Sequence, residues 1–251
     1  MTVDEITNRR YEVFLEGELI DLCIPSATAI NEDGWAEWFN NIEQLQATEH
    51  GIYPNYRWSQ HKILDSLIND RSKILLLICQ KTTQRAFGVV SLQNINLQSR
   101  SAEIAINASS KDKKSVHPFS TLEAMALITQ HGFEELGLKR VYGGQAFPIL
   151  ESWNKAIELI GFRTEGITRN SFVRGQKVFD TALISCSYEN YKDLAKLRGT
   201  LWGSSKIISK AMKRQPKVSF THLISEQFKA LENDYFQFLT DDGDEKIIDT
   251  K

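Results

Sequence analysis

Apolar residues recur along this chain at two spacings, and the switches between them divide it into elements. ELIDLCIP reads as a strand stopped at Pro25, after a charged, aromatic lead that begins at residue 11. KILLLICQK, FGVVSLQNI and SAEIAINAS are three further strand-like runs, separated by the turn signals TTQR and LQSR. Strands joined by such short turns pair antiparallel, so these three predict a meander. Helical spacing appears from Ala29 to Asn40, where Trp35, Trp38 and Phe39 form a stripe. It returns in SQHKILDSLINDR, with Ile63, Leu64, Leu67 and Ile68 on one face and Ser59 as its cap. The strongest helix is Thr121 to Leu136, with Leu122, Met125, Ala126, Thr129 and Phe133 on successive turns and a stop at Gly137. Beyond it come the strand KRVYGGQAF, the short helix LESWNKAIELIGF, and the pair FRTEGITRNSFVRGQ and KVFDTALISCSYENY. That order predicts an α/β fold with a mixed central sheet flanked by helices.

The texture changes after residue 190. Residues 1–190 read as one α/β domain, and residues 191–251 as a helical C-terminal extension with a polar acidic tail. Within the extension, Lys206, Lys210, Lys213, Arg214 and Lys217 make a local basic stretch, either a solvated helix face or a contact for an anionic partner. THLISEQFKALENDYFQFL places Leu223, Phe228, Leu231, Tyr235 and Phe238 near one face, expected to pack on the core or on a second subunit of a homodimer.

Composition narrows the picture only modestly. With 41% hydrophobic and 25% charged residues, the chain has ordinary globular values, and a net charge of -2 speaks against general nucleic-acid binding. Cys23, Cys79 and Cys186 lie far apart in apolar runs without metal-ligand spacing, which fits buried thiols in a reducing compartment and no metal. The longest apolar run, Ile74 to Cys79, is too short to span a bilayer, so no membrane association and a cytoplasmic location are expected.

Five words of the sequence, in order, carry a resemblance: AEIAI, EAMALITQHGFEELGLKRV, the ELIGF pair, EG, and V-x-D-T-A-L of the last strand. From Ala102 to Tyr191 the chain resembles the GNAT N-acetyltransferases, in the branch of ribosomal-protein N-terminal and bacterial amino-sugar acetyltransferases. The resemblance implies acetyl-CoA as acyl-donor substrate, its pantetheine lying between two splayed parallel strands against Ile104, Ala105, Ile106 and Asn107. It also implies a pyrophosphate at the helix start near Pro118, Phe119, Ser120 and Thr121, where free amides and the helix dipole favour an anion.

Two departures alter the site. The family's phosphate pattern Q/R-x-x-G-x-G/A falls here on Val116, Phe119 and Thr121, so its glycines are absent. Lys111, Lys113, Lys114 and His117, with the hydroxyls of Ser120 and Thr121, are the groups that could hold phosphate instead; a basic surface loop is the alternative. The family's Asn and thiolate-protonating Tyr fall on Leu150 and Ile157, leaving Ser152, Tyr142 and Tyr188 as substitutes.

For the amine, Glu103 is the first candidate as general base, because an alkylammonium must lose its proton before it can attack. His50 beside Glu49 is the second, and the loop ATEHGIYPNYR offers His50 and Tyr53 to a polar acceptor. The expected activity is acetyl transfer to a primary amine, a small amino-sugar or nucleotide-linked amine ahead of a protein N-terminus. The other reading open at this level is a GNAT-like module that binds a ligand or partner without catalysis.

Overall fold

The computed structural model describes residues 9–41, 45–48, 52–109 and 116–239. Its described strands form one mixed, eight-stranded sheet. β1 (Val13–Glu16) and β2 (Ile20–Cys23) are a hairpin, so the charged lead contributes a strand of its own. β3 (Ile74–Gln80), β4 (Ala86–Asn96) and β5 (Ser101–Ala108) extend it as the antiparallel meander that the short turns require.

Between β2 and β3 lie α1 (Ala27–Asn31), α2 (Trp35–Trp38) and α3 (Arg57–Leu67). The single helix expected from Ala29 to Asn40 is therefore two, because Gly34 takes a left-handed φ of 80° between them. Its tryptophans nonetheless pack inward with Cys23, Leu77 and Cys79 in a core on one face of the sheet. α3 starts at Arg57, with Tyr56 in the cap position, so Ser59 lies within the first turn and is not the cap. Of its expected apolar face only Leu64 packs on this core, while Ile63 and Ile68 are exposed.

α4 (Ser120–Glu134) covers the other face and carries the chain across to β6 (Arg140–Phe147), which runs parallel to β5. α5 (Glu151–Glu158) follows, then β7 (Arg163–Arg174) and β8 (Lys177–Ser187), with β8 inserted between β6 and the edge strand β7. Leu122, Met125 and Ile128 of α4 meet Leu92, Ile104, Val141 and Ile184 in the main core.

Gly88 marks the close approach of β4 to β5. A Cβ there would lie 2.6 Å from the Asn107 carbonyl oxygen and 2.9 Å from Ala108 Cα, both main-chain atoms that cannot rotate away. Gly88→Ala is expected to destabilise the fold by about 1–3 kcal/mol, as overpacking does. An unchanged midpoint in urea would show that these strands part at little cost.

The C-terminal helices α6 (Tyr188–Arg198), α7 (Ser205–Arg214) and α8 (Phe220–Tyr235) each begin at a serine whose hydroxyl accepts a first-turn N–H. The pairs are Ser187 with Asn190, Ser204 with Ile207 and Ser219 with His222. Leu201, Trp202 and Ile208 enter the main core. α8 packs on β7 through small polar residues: Thr221 and Ser225 are buried, and the Thr221 and Thr164 hydroxyls lie 2.6 Å apart. The apolar face expected to do this packing is instead exposed, with Leu231 at 60% and Tyr235 at 72%.

Two carboxylates, the buried Glu123 and the exposed Glu18, tie these layers together. Glu123 of α4 is fully buried and accepts the N–H groups of Glu18 (2.5 Å), Leu19 (2.8 Å) and Ile20 (3.2 Å) from the β1–β2 turn. Burial pushes its pKa up, against the pull of those three donors. Glu18 in turn accepts from Trp202 Nε1 (2.9 Å), Ser205 N–H (2.6 Å) and Ser205 Oγ (2.7 Å). Burial alone would raise its pKa, but the Ser205 and Trp202 donors outweigh that and hold it below the usual carboxylate range.

Candidate functional site

β5 and β6 pair only at Ser101 with Arg140, Ala102 with Val141 and Glu103 with Tyr142. Past that point β5 pairs only with β4, and β6 only with β8. The two parallel strands therefore part immediately after Glu103. Ser109 donates its N–H to the Phe87 carbonyl, which sets the phase of the β4–β5 ladder. Odd-numbered β5 residues exchange main-chain bonds with β4, so Ile104 and Ile106 direct theirs towards β6. Gly143 lies at the apex, where an added Cβ would stand 3.2 Å from the Ile104 carbonyl oxygen.

Buried polar groups without partners occur on β5 and on α5. Asn107 Nδ2 is buried without a hydrogen-bond partner among the described residues. Asn154 of α5 is 2% exposed, and neither its Nδ2 nor its Oδ1 has one. It lies one turn after Leu150 and one before Ile157, so it shares the helix face on which the family has its Asn and Tyr. At the start of α4, the His117 carbonyl and ring nitrogen accept the N–H groups of Ser120 and Phe119. No side chain caps this helix, and the amides of Thr121 and Leu122 have no acceptor among the described residues. Such a start suits an anion.

On the sheet face away from α4, the row Gln93, Glu103, Tyr142, Ser185 runs in register across four strands beside the apex. Glu103 accepts from Asn94 Nδ2 at 2.9 Å. Glu165 accepts from Ser185 Oγ at 2.6 Å and pairs with Arg140, whose guanidinium lies 5.3 Å from the Tyr142 ring centre. Glu103, Glu165 and the Arg140 guanidinium stand around the Tyr142 phenol, and Arg163, in register with Ser185, continues the row.

The sequence-predicted residues divide accordingly. Glu103, Ile104, Ile106 and Tyr142 meet at the apex, and His117, Ser120 and Thr121 stand at the start of α4. Ser152 is exposed on the side of α5 opposite Asn154 and Ile157, away from the apex. Tyr188 packs on Phe133 with Lys139 4.0 Å over its ring, and Tyr53 is 83% exposed outside any helix or strand. His50, Lys111, Lys113 and Lys114 lie outside the described residues. Sequence reasoning missed Asn154, although its spacing from Leu150 and Ile157 was there to be counted. It also missed Arg140, Glu165 and Ser185, which only strand register brings together.

Among the described residues no cluster of three His, Cys, Asp or Glu side chains could hold a metal ion, and no helix is long and apolar enough to cross a membrane. No family model matches the chain, and no curated protein matches it significantly. Solved structures do. Spermidine N-acetyltransferase from Vibrio cholerae, in complex with CoA and spermine, aligns with a TM-score of 0.61 at 17% identity, over 70% of this chain and 99% of that one. A GCN5-related N-acetyltransferase from Brucella melitensis aligns at 0.58 and 20% identity, over 79% and 87%. The microcin C7 self-immunity acetyltransferase MccE, in complex with acetyl-CoA and AMP, aligns at 0.57 and 18%, over 68% and 93%. With its parted parallel strands and flanking helices, the chain has the fold of the GNAT N-acetyltransferases.

Proposed function

We propose that this protein is an acyl-CoA-dependent N-acetyltransferase acting on a small primary amine. The parting of β5 from β6 directly after Glu103 and Tyr142 carries this reading. The residues present fit an acyl-CoA: the Ile104 carbonyl and the main-chain groups of Ile106 face the gap, and Asn107 Nδ2 is a donor without an acceptor. The uncapped amides of α4, with His117, Ser120 and Thr121, would hold its phosphates. Bound there, acetyl-CoA supplies an acyl group activated as a thioester.

The protein's own part is to deliver a neutral amine and to return a proton. Glu103, beside the apex, takes the proton of the acceptor ammonium. Tyr142, the Glu103 neighbour across the parallel pair, is the hydroxyl we assign to protonate the departing sulfur, a role that neither Leu150 nor Ile157 can fill. Among solved structures of similar fold, the spermidine N-acetyltransferase holds CoA and spermine, and MccE holds acetyl-CoA and AMP. A small amine, including an amino-sugar or a nucleotide-linked amine, fits this face ahead of a protein N-terminus.

Acetyl-CoA at millimolar concentration should raise the melting temperature, because it binds the folded state only. Asn107→Leu should weaken its binding by roughly three- to tenfold while leaving the unliganded protein at least as stable, since the substitution removes a buried donor without a partner. No stabilisation of the wild type would end the enzyme reading in favour of a GNAT-like binding module with another ligand.

A further inference from the structure

α7 presents an unbalanced charge to solvent. Lys206, Lys210, Lys213 and Arg214 follow the i, i+4, i+7, i+8 spacing of one helix face, opposite Ile208, which is fully buried. All four are exposed, as is Lys217 just beyond, and none of the five has an ion-pair partner among the described residues. From Leu201 to Ser225 the chain contains no Asp or Glu, in a protein whose net charge is -2. Among the described residues, this cationic stripe has no counter-charge.

Its position says which ligand would supply one. The starts of α7 and α4 are joined through one residue. Glu18 gives its N–H to Glu123, in the first turn of α4, and takes the N–H and hydroxyl of Ser205, the first residue of α7. His117, next to the start of α4, is close enough for its charge to act on Glu18. Lys206 follows Ser205 directly, and the stripe from Lys206 to Lys213 extends about 10 Å along the helix. The uncapped amides of α4 and the cations of α7 thus lie on neighbouring elements, where the phosphate-binding glycines of the family pattern are absent.

We propose that the cationic stripe of α7 binds the phosphate-bearing nucleotide end of acyl-CoA, supplying from the C-terminal extension the anchoring that the missing glycines would give. This rests on the acyl-CoA reading of the parted strands. The lysines hold phosphate by charge and the α4 amides by hydrogen bonds, so the two contributions differ in salt dependence.

The test compares CoA, dephospho-CoA lacking the 3′-phosphate, and pantetheine, by calorimetric titration of wild type and K206A/K210A/K213A at low and at high salt. The triple variant should bind CoA about tenfold more weakly at low salt, the sum of three partly screened charge contacts. Dephospho-CoA should lose less, pantetheine nothing, and high salt should close the gap. Lys196→Ala, on α6, serves as a charge control, and thermal melts of the corresponding Gln variants check folding. Equal affinity of variant and wild type for CoA overturns the proposal while leaving the acyl-CoA reading intact. An equal loss for pantetheine also overturns it, since the lysines would then act through the fold. Wild type that binds none of the three overturns both.

Discussion

Glu103→Gln is expected to slow acetyl transfer by about 10²-fold or more at neutral pH, the ordinary worth of a positioned base. Binding of acetyl-CoA should change little, because the main-chain groups facing the gap belong to Ile104 and Ile106 and not to this side chain. The Gln amide oxygen can still accept from Asn94 Nδ2, which now donates to the Glu103 carboxylate at 2.9 Å, so local geometry is kept while the base is lost. An alkylammonium acceptor has a pKa near about 10, so above that range bulk solvent deprotonates it and the variant should recover part of its rate. Kinetics of kcat/KM against pH decide the matter. Parallel profiles for variant and wild type would remove Glu103 from the role and leave the acceptor to lose its proton elsewhere.

Glu123→Ala is expected to cost about 3 kcal/mol or more of folding stability. The substitution leaves the N–H groups of Glu18, Leu19 and Ile20 without their acceptor at the inner end of the first hairpin, each worth about 1 kcal/mol or more when buried. Chemical denaturation measures it, and a loss below about 1 kcal/mol would mean that water or a shifted turn replaces the carboxylate. Glu123→Gln separates charge from hydrogen bonding. Because burial raises the folded-state pKa of Glu123, its protonated form is favoured on folding. Its contribution is therefore fully present below the ordinary carboxyl pKa of about 4.3 and is lost as pH rises through the raised value. The stability of wild type relative to Glu123→Gln should fall over that rise.

The sequence showed the strand and helix order well wherever one face of an element is continuously apolar. The meander, α4 and the final hairpin are such elements. It misled where a few residues override periodicity. Gly34, with its left-handed φ, splits what the tryptophan spacing reads as one helix. In α8 the apolar spacing is real, yet Thr221 and Ser225 hold the helix to β7 and turn Phe228, Leu231 and Tyr235 outward. Periodicity says which residues share a face, not which face is covered. The site was half legible for a related reason. Glu103 and the strand that carries it follow from local sequence, but the neighbourhood of Tyr142, Ser185 and Glu165 depends on register between strands distant in sequence. Asn154 hid among apolar neighbours, where an amide draws attention only once both its polar atoms are seen to be buried without partners.

The carboxylate of Glu18 also sets an order of events in the life of the chain. Its partner Ser205 lies 187 residues downstream. At translation rates of about 5–20 residues per second, the first hairpin emerges roughly ten to forty seconds before the group that fixes its turn to α7 has been made. Through that interval α4 can already cover Ile20 and Leu22, but the Glu18 carboxylate waits for Trp202 and Ser205, so the last quarter of the chain closes the joint that the hairpin began.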